Sequence, residues 1–107
     1  MARPNLERTN FGQWLENKRL AENESVDDQA NRIGIHITSI SQYSRGKRPL
    51  SINFLRKVVK AYNLQGEEEK DMYKSTLTAE DIENAKKLQS NMPLEDVAVQ
   101  IKYGLSL

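Results

Sequence analysis

Apolar residues recur along this chain at intervals of three and four, and no segment alternates strictly between apolar and polar side chains. That spacing predicts helices throughout and no strands. The first predicted helix runs from about Asn10 to Ala21, with Phe11, Trp14 and Leu15 on one face and Asn10 as the candidate cap, Gln13 lying three residues on. The polar run AENES then breaks the pattern. Ser25 is predicted to cap a short second helix, about Val26 to Ile33, with Asp28 as its reciprocal partner, and Gly34 to end it. A third helix is predicted over residues 37–44. RGKRP follows as a turn, because Pro49 cannot continue a helix. The fourth starts after Ser51 and carries Leu55, Val58, Val59 and Tyr62, a full amphipathic stripe. The fifth, about 67–75, opens on three Glu residues where the helix dipole favours anions, and adds Met72 and Tyr73 to the core.

Residues 76–107 form a separate segment in this reading, after a domain spanning residues 1–75. Thr78 and Asp81 are a capping pair for a sixth helix reaching to about Gln89. A seventh carries Leu94, Val97, Ala98 and Ile101 at helical spacing. Two helices of this length cannot bury their apolar faces by themselves, so they must pack on the first domain or on a partner chain. The closing PLEDVAVQIKYGLSL weakly echoes the 26–34 region, but its Ala98-to-Gly104 gap is two residues longer than that from Ala30 to Gly34. A second copy of that unit is not predicted from it.

Composition narrows the chemistry. The chain has 107 residues, no Cys and one His, which excludes disulfides, thiolate sites and a multi-histidine metal site within one chain. No apolar run approaches a membrane span or a signal-peptide core, so a soluble intracellular protein is expected. Net charge is only +1, but its distribution is uneven. Residues 29–66 contain seven cations (Arg32, Arg45, Lys47, Arg48, Arg56, Lys57 and Lys60) and no anions, with acids clustered on either side. A block of this kind suits a polyanion; it also suits a solvated basic face with no partner.

The third helix sharpens that choice. On a helical wheel centred on Ile40, at about 100° per residue, Tyr43 and Ser44 fall on the buried side and Thr38, Ser41, Gln42 and Arg45 on the opposite one. The outward groups include no Lys or Glu. Gln can pair with adenine, Arg with guanine and Ser or Thr with several bases, so this face carries the chemistry that major-groove base edges need. An ordinary polar face on a short helix remains the alternative. A short helix, a Gly and a second short helix make a helix-turn-helix, with the small Ala30 allowing close approach.

On these residues the chain resembles the Cro/phage-repressor (Xre-type) helix-turn-helix family. The likeness covers residues 11 to about 73 without a gap. It rests on FGQWL and Arg19, on Ser25, Ala30 and Gly34, on Ile35 and Ile40, and on RGKRPLS followed by LRKVVKAYNL. The resemblance implies an all-α protein: a five-helix lambda-repressor-like domain followed by a two-helix C-terminal segment. It further implies that the third helix enters the major groove of double-stranded DNA. His36, Ile37, Thr38, Ser41 and Gln42 would then meet bases, and Val26 (through its backbone N–H), Arg45, Lys47 and Arg48 would meet the sugar–phosphate backbone.

Three positions depart from the family pattern. Gln29 stands where a buried Leu is usual, so helix 2 is rotated or Gln29 finds a partner at the core edge. Ser44 stands where a Glu often pairs with the helix 1 Arg, leaving Arg19 solvated or paired elsewhere. Ile37 replaces a more polar residue, and either contacts a thymine methyl or packs at the core edge. His36 is read as a helix cap or a phosphate contact, since no acid or nucleophile nearby selects it for catalysis.

Family members commonly bind palindromic operators as two-fold dimers, with half-sites roughly 34 Å apart. Residues Leu94, Val97, Ala98 and Ile101 are the candidate dimer surface; the alternative is that the tail straps its own domain. The expected function is a transcriptional regulator, most simply a repressor, in a bacterial or phage-infected cytoplasm. It would need no cofactor or metal and perform no catalysis, and a regulatory protein partner could act on it. The competing reading is a protein-interaction module, such as an antirepressor, antitoxin or inhibitor, built on the same scaffold.

Overall fold

A computed structural model of the protein describes residues 8–88 and 91–104. These residues form seven helices and no strand: α1 (Asn10–Ala21), α2 (Val26–Ile33), α3 (Ile37–Ser44), α4 (Ile52–Tyr62), α5 (Gly66–Lys74), α6 (Ala79–Lys86) and α7 (Leu94–Tyr103). None is long and apolar enough to cross a membrane.

Most boundaries follow local chemistry. Ser25 Oγ accepts the Asp28 N–H while the Asp28 carboxylate accepts the Ser25 N–H, both at 3.0 Å. Thr78 and Asp81 repeat the same box on α6, and Ser51 caps α4 through the Phe54 N–H. Gly34 ends α2 at φ 88°, a left-handed conformation that a Cβ would strain. Helix α1 differs from expectation at its cap, which is Thr9 and not Asn10. Thr9 Oγ1 accepts the Gly12 N–H at 3.0 Å, and the Thr9 N–H donates to the Ser44 carbonyl at the end of α3, also at 3.0 Å. That tether holds Thr9 extended, so the helix begins one residue after it. Helix α5 begins at Gly66 and ends at Lys74, one residue earlier at each end than the pattern predicted. Helix α6 ends at Lys86, and its predicted limit at Gln89 lies outside the described residues.

The main core gathers Phe11 and Leu15 from α1, Ala30 and Ile33 from α2, Ile40 and Tyr43 from α3, and the α4 stripe of Phe54, Leu55, Val58 and Tyr62. Leu64, Met72, Tyr73 and, from the tail, Val99 complete it. The Tyr43 and Phe54 rings stack 3.7 Å apart, and Phe11 meets Phe54 edge-on at 6.0 Å. Gln29 lies within this core, 1% exposed, and its Nε2 donates to the Leu15 carbonyl at 2.9 Å. Of the two outcomes open for Gln29, the hydrogen-bonded one holds. Helices α1 and α3 meet through backbone: a Cβ added at Gly12 would lie 2.1 Å from the Ser44 carbonyl oxygen.

The tail packs on its own chain. Ala85, Val97 and Ala98 form a second buried cluster with Ile82 and Met92 against it, and Leu77 touches both cores. Asp96, itself buried, takes Lys74 at 3.2 Å and Lys70 at 3.9 Å, clamping α7 to α5. The Tyr103 hydroxyl meets Thr76 Oγ1 at 2.5 Å, and its ring tilts against Tyr73. The Lys102 ammonium reaches Asp81 at 2.6 Å, tying α7 to the start of α6. The predicted dimer stripe is therefore divided. Val97 and Ala98 are enclosed within the chain and are not available to a second copy, because α6 covers them. Leu94 and Ile101 stay exposed.

Candidate nucleic-acid interface

Helix α3 is anchored by Ile40, Tyr43 and Ser44, all buried, as the wheel required. Its opposite side holds Thr38 and Gln42, both exposed, with Ser41 half-buried. His36 caps the helix: its backbone is extended and Nδ1 accepts the Thr38 N–H at 3.2 Å. Ile37 is 40% exposed and is absent from the core, so it sits on the surface next to Thr38. Of the five residues predicted to meet bases, His36, Ile37, Thr38 and Gln42 are exposed and Ser41 is half-buried.

The cations around α3 behave differently from one another. Lys47 is exposed and has no ion-pair partner among the described residues. Arg48 donates to Ser39 Oγ at 2.9 Å and lies over the Tyr43 ring at 5.2 Å, which fixes it beside α3. Ser39 was not singled out from sequence; it is found only through Arg48, nine residues later. Arg45 is less open than the wheel placed it. Its guanidinium folds back to donate to Ser41 Oγ, and its Nε is buried. Val26 is 39% exposed at the first turn of α2. Asp27 and Asp28 share that turn, so two carboxylates lie beside its backbone N–H groups.

The basic block also loses a member. Arg32 Nε donates to Glu24 at 2.5 Å and its guanidinium lies over the Tyr62 ring at 5.0 Å, while Glu24 also accepts the Tyr62 hydroxyl at 2.8 Å. Burial, and then this bond to Glu24, push the Tyr62 phenol up to about 12. The Ser25 backbone N–H, donating to the Asp28 carboxylate, holds that group below its usual range. Arg56, Lys57 and Lys60 on α4 are exposed and pair with no acid among the described residues. Arg19, lacking a Glu at position 44, donates to the Glu24 carbonyl at 3.0 Å and lies 3.7 Å from the Glu16 carboxylate.

No family model matches this chain, and no curated protein or solved structure does so either.

Proposed function

We propose that this chain is a sequence-specific DNA-binding transcriptional regulator whose first five helices form a lambda-repressor-like unit. The observation that carries the reading is the exposed side of α3. It offers Thr38, Gln42 and the Ile37 methyls, contains no acid, and is flanked by Lys47 and the ring-seated Arg48. Helix α3 would lie in the major groove. Gln42 would pair with adenine and Ile37 touch a thymine methyl, with Lys47 and Arg48 on the phosphates. The operator would be palindromic and met by two copies of the chain, associated through Leu94 and Ile101.

Selection of bound duplexes from a random DNA pool tests this directly. The expected result is a palindromic consensus bound with a steep salt dependence. Gln42→Ala should then cost about 1–3 kcal/mol at one base position, whereas Lys47→Ala should weaken all sequences alike. A flat selection, or unchanged affinity in Gln42→Ala, would sink the reading. The exposed apolar pair on α7, beside Glu95, favours a second reading as a protein-binding module. In that case Leu94 and Ile101 variants would lose function while Gln42→Ala kept it.

A further inference from the structure

A cleft of about 170 Å³ opens where α1, α2 and the C-terminal end of α3 converge. Three guanidinium groups line it, those of Arg8, Arg19 and Arg45, against one carboxylate, Glu16. Glu16 is committed: Arg8 meets it at 2.7 Å and Arg19 at 3.7 Å. Nothing is left for Arg45 beyond Ser41. Its Nε is buried and finds no hydrogen-bond partner among the described residues. A buried guanidinium N–H without an acceptor is costly, and the shape of that fork matches a carboxylate.

The remaining wall has a different character. Its apolar lining is Val26, 39% exposed, with Leu15 and Ile40 buried beneath it. A bare inorganic anion would satisfy the guanidinium groups and leave this apolar side against water. The volume suits something larger, since an apolar cavity of about 150 Å³ accommodates benzene. Cationic on one side, apolar on the other and benzene-sized, the cleft has the features of a site for a small organic acid.

We propose that this cleft binds a small organic carboxylate, its carboxylate on Arg45 and its apolar body against Val26. The cleft shares Val26, Ser41 and Arg45 with the DNA contacts expected from sequence, but its test needs no nucleic acid. The bound carboxylate competes with Ser41 for the guanidinium, and the buried Nε–H reaches it as Arg45 turns away from Ser41. Because Arg45 caps α3, occupancy is reported at the end of that helix.

Benzoate is the probe, titrated at constant ionic strength into the full chain and followed by ¹H–¹⁵N spectra that include the arginine Nε–H signals. The expected result is a saturable shift of the Arg45 Nε–H together with the Val26 and Ser44 amides. Benzyl alcohol, the same ring without the charge, should bind at least about tenfold more weakly, and inorganic phosphate should also bind more weakly. Two variants with native amide dispersion should lose the benzoate response: Arg45→Met, which removes the partner, and Ser44→Glu, which supplies a carboxylate from the chain itself. If only one variant folds, that one decides. An unshifted Arg45 Nε–H at tens of millimolar benzoate would overturn the proposal. So would equal binding of benzyl alcohol or of phosphate, or a benzoate response that survives in a folded variant. A DNA duplex that shifts the Arg45 Nε–H where benzoate does not would assign the cleft to a backbone phosphate instead.

Discussion

Gln29 occupies a core position among apolar side chains, and the structure accommodates it by giving its amide one backbone acceptor, the Leu15 carbonyl. Its cost is therefore mostly volume. Gln29→Ala should lower the unfolding free energy by about 2–3 kcal/mol, through the cavity and the lost bond. Gln29→Leu, close in volume, should change it by less than about 1.5 kcal/mol in either direction; urea titrations of the pair separate the two effects. Tyr62 makes a prediction about pH. Its folded-state value of about 12 lies above the ordinary 10, so the folded protein retains a proton that the unfolded chain releases first. The stability it contributes is complete below about pH 10 and is lost as pH climbs towards 12. Burial raises Tyr73 as well. Tyr62→Phe should therefore reduce, but not abolish, the alkaline fall in melting temperature; an unchanged fall would contradict the buried, Glu24-bonded phenol. Single residues were legible in the sequence where their partners are near. Ser25, Ser51 and Thr78 cap as expected because a cap reaches only three residues. Thr9 and Arg32 were not, because each is decided by a tertiary neighbour: the Ser44 carbonyl, and Glu24 brought against α4. Arg45 turns back on Ser41 of its own helix, which a wheel does not show.

Among elements, the contact of α1 with α3 is the least tolerant. The Cβ of Gly12→Ala would meet backbone, which cannot swing aside as a flexible side chain can. The two helices must separate, at a cost of about 1–3 kcal/mol or more, and α3 moves with the change. Thermal unfolding should show the loss, and any DNA affinity should fall further than stability alone explains. A melting temperature equal to that of the unsubstituted chain would mean the two backbones are not in contact. Helix existence, type and nearly every boundary followed from apolar spacing and caps, since both are properties of short windows. The packing of α7 did not follow. Leu94, Val97, Ala98 and Ile101 read as one stripe, yet α6 covers only its middle, and Val99, from the neighbouring position, enters the main core. A stripe shows that a helix must be covered, but not by which neighbour, and Asp96 between Lys70 and Lys74 decides that here.

For the whole molecule, a net charge of +1 conceals a directional field: Lys47, Arg56, Lys57 and Lys60, without acid partners among the described residues, lie in one block, with acids before and after it. The block's position was plain from sequence, while its membership needed the structure, which removes Arg32 to Glu24 and turns Arg45 inward. Assembly is also decided at this scale. With Val97 and Ala98 enclosed, a dimer through α7 rests on Leu94 and Ile101. Ile101→Asp, at a site 46% exposed, should then halve the mass seen by light scattering while leaving the fold intact. A mass that does not respond removes α7 from the interface. One further feature offers a built-in optical probe. Trp14 is the only tryptophan, and its ring stacks on Phe11 at 6.2 Å on α1, whereas α7 leans on α5 and α6. Its emission therefore registers the α1 end of the core, and far-ultraviolet circular dichroism registers every helix at once. Superimposed denaturation curves from the two signals would mean that the tail melts with the rest as one cooperative body; a dichroism curve that falls first would mean that the tail peels away while the tryptophan is still in its native surroundings.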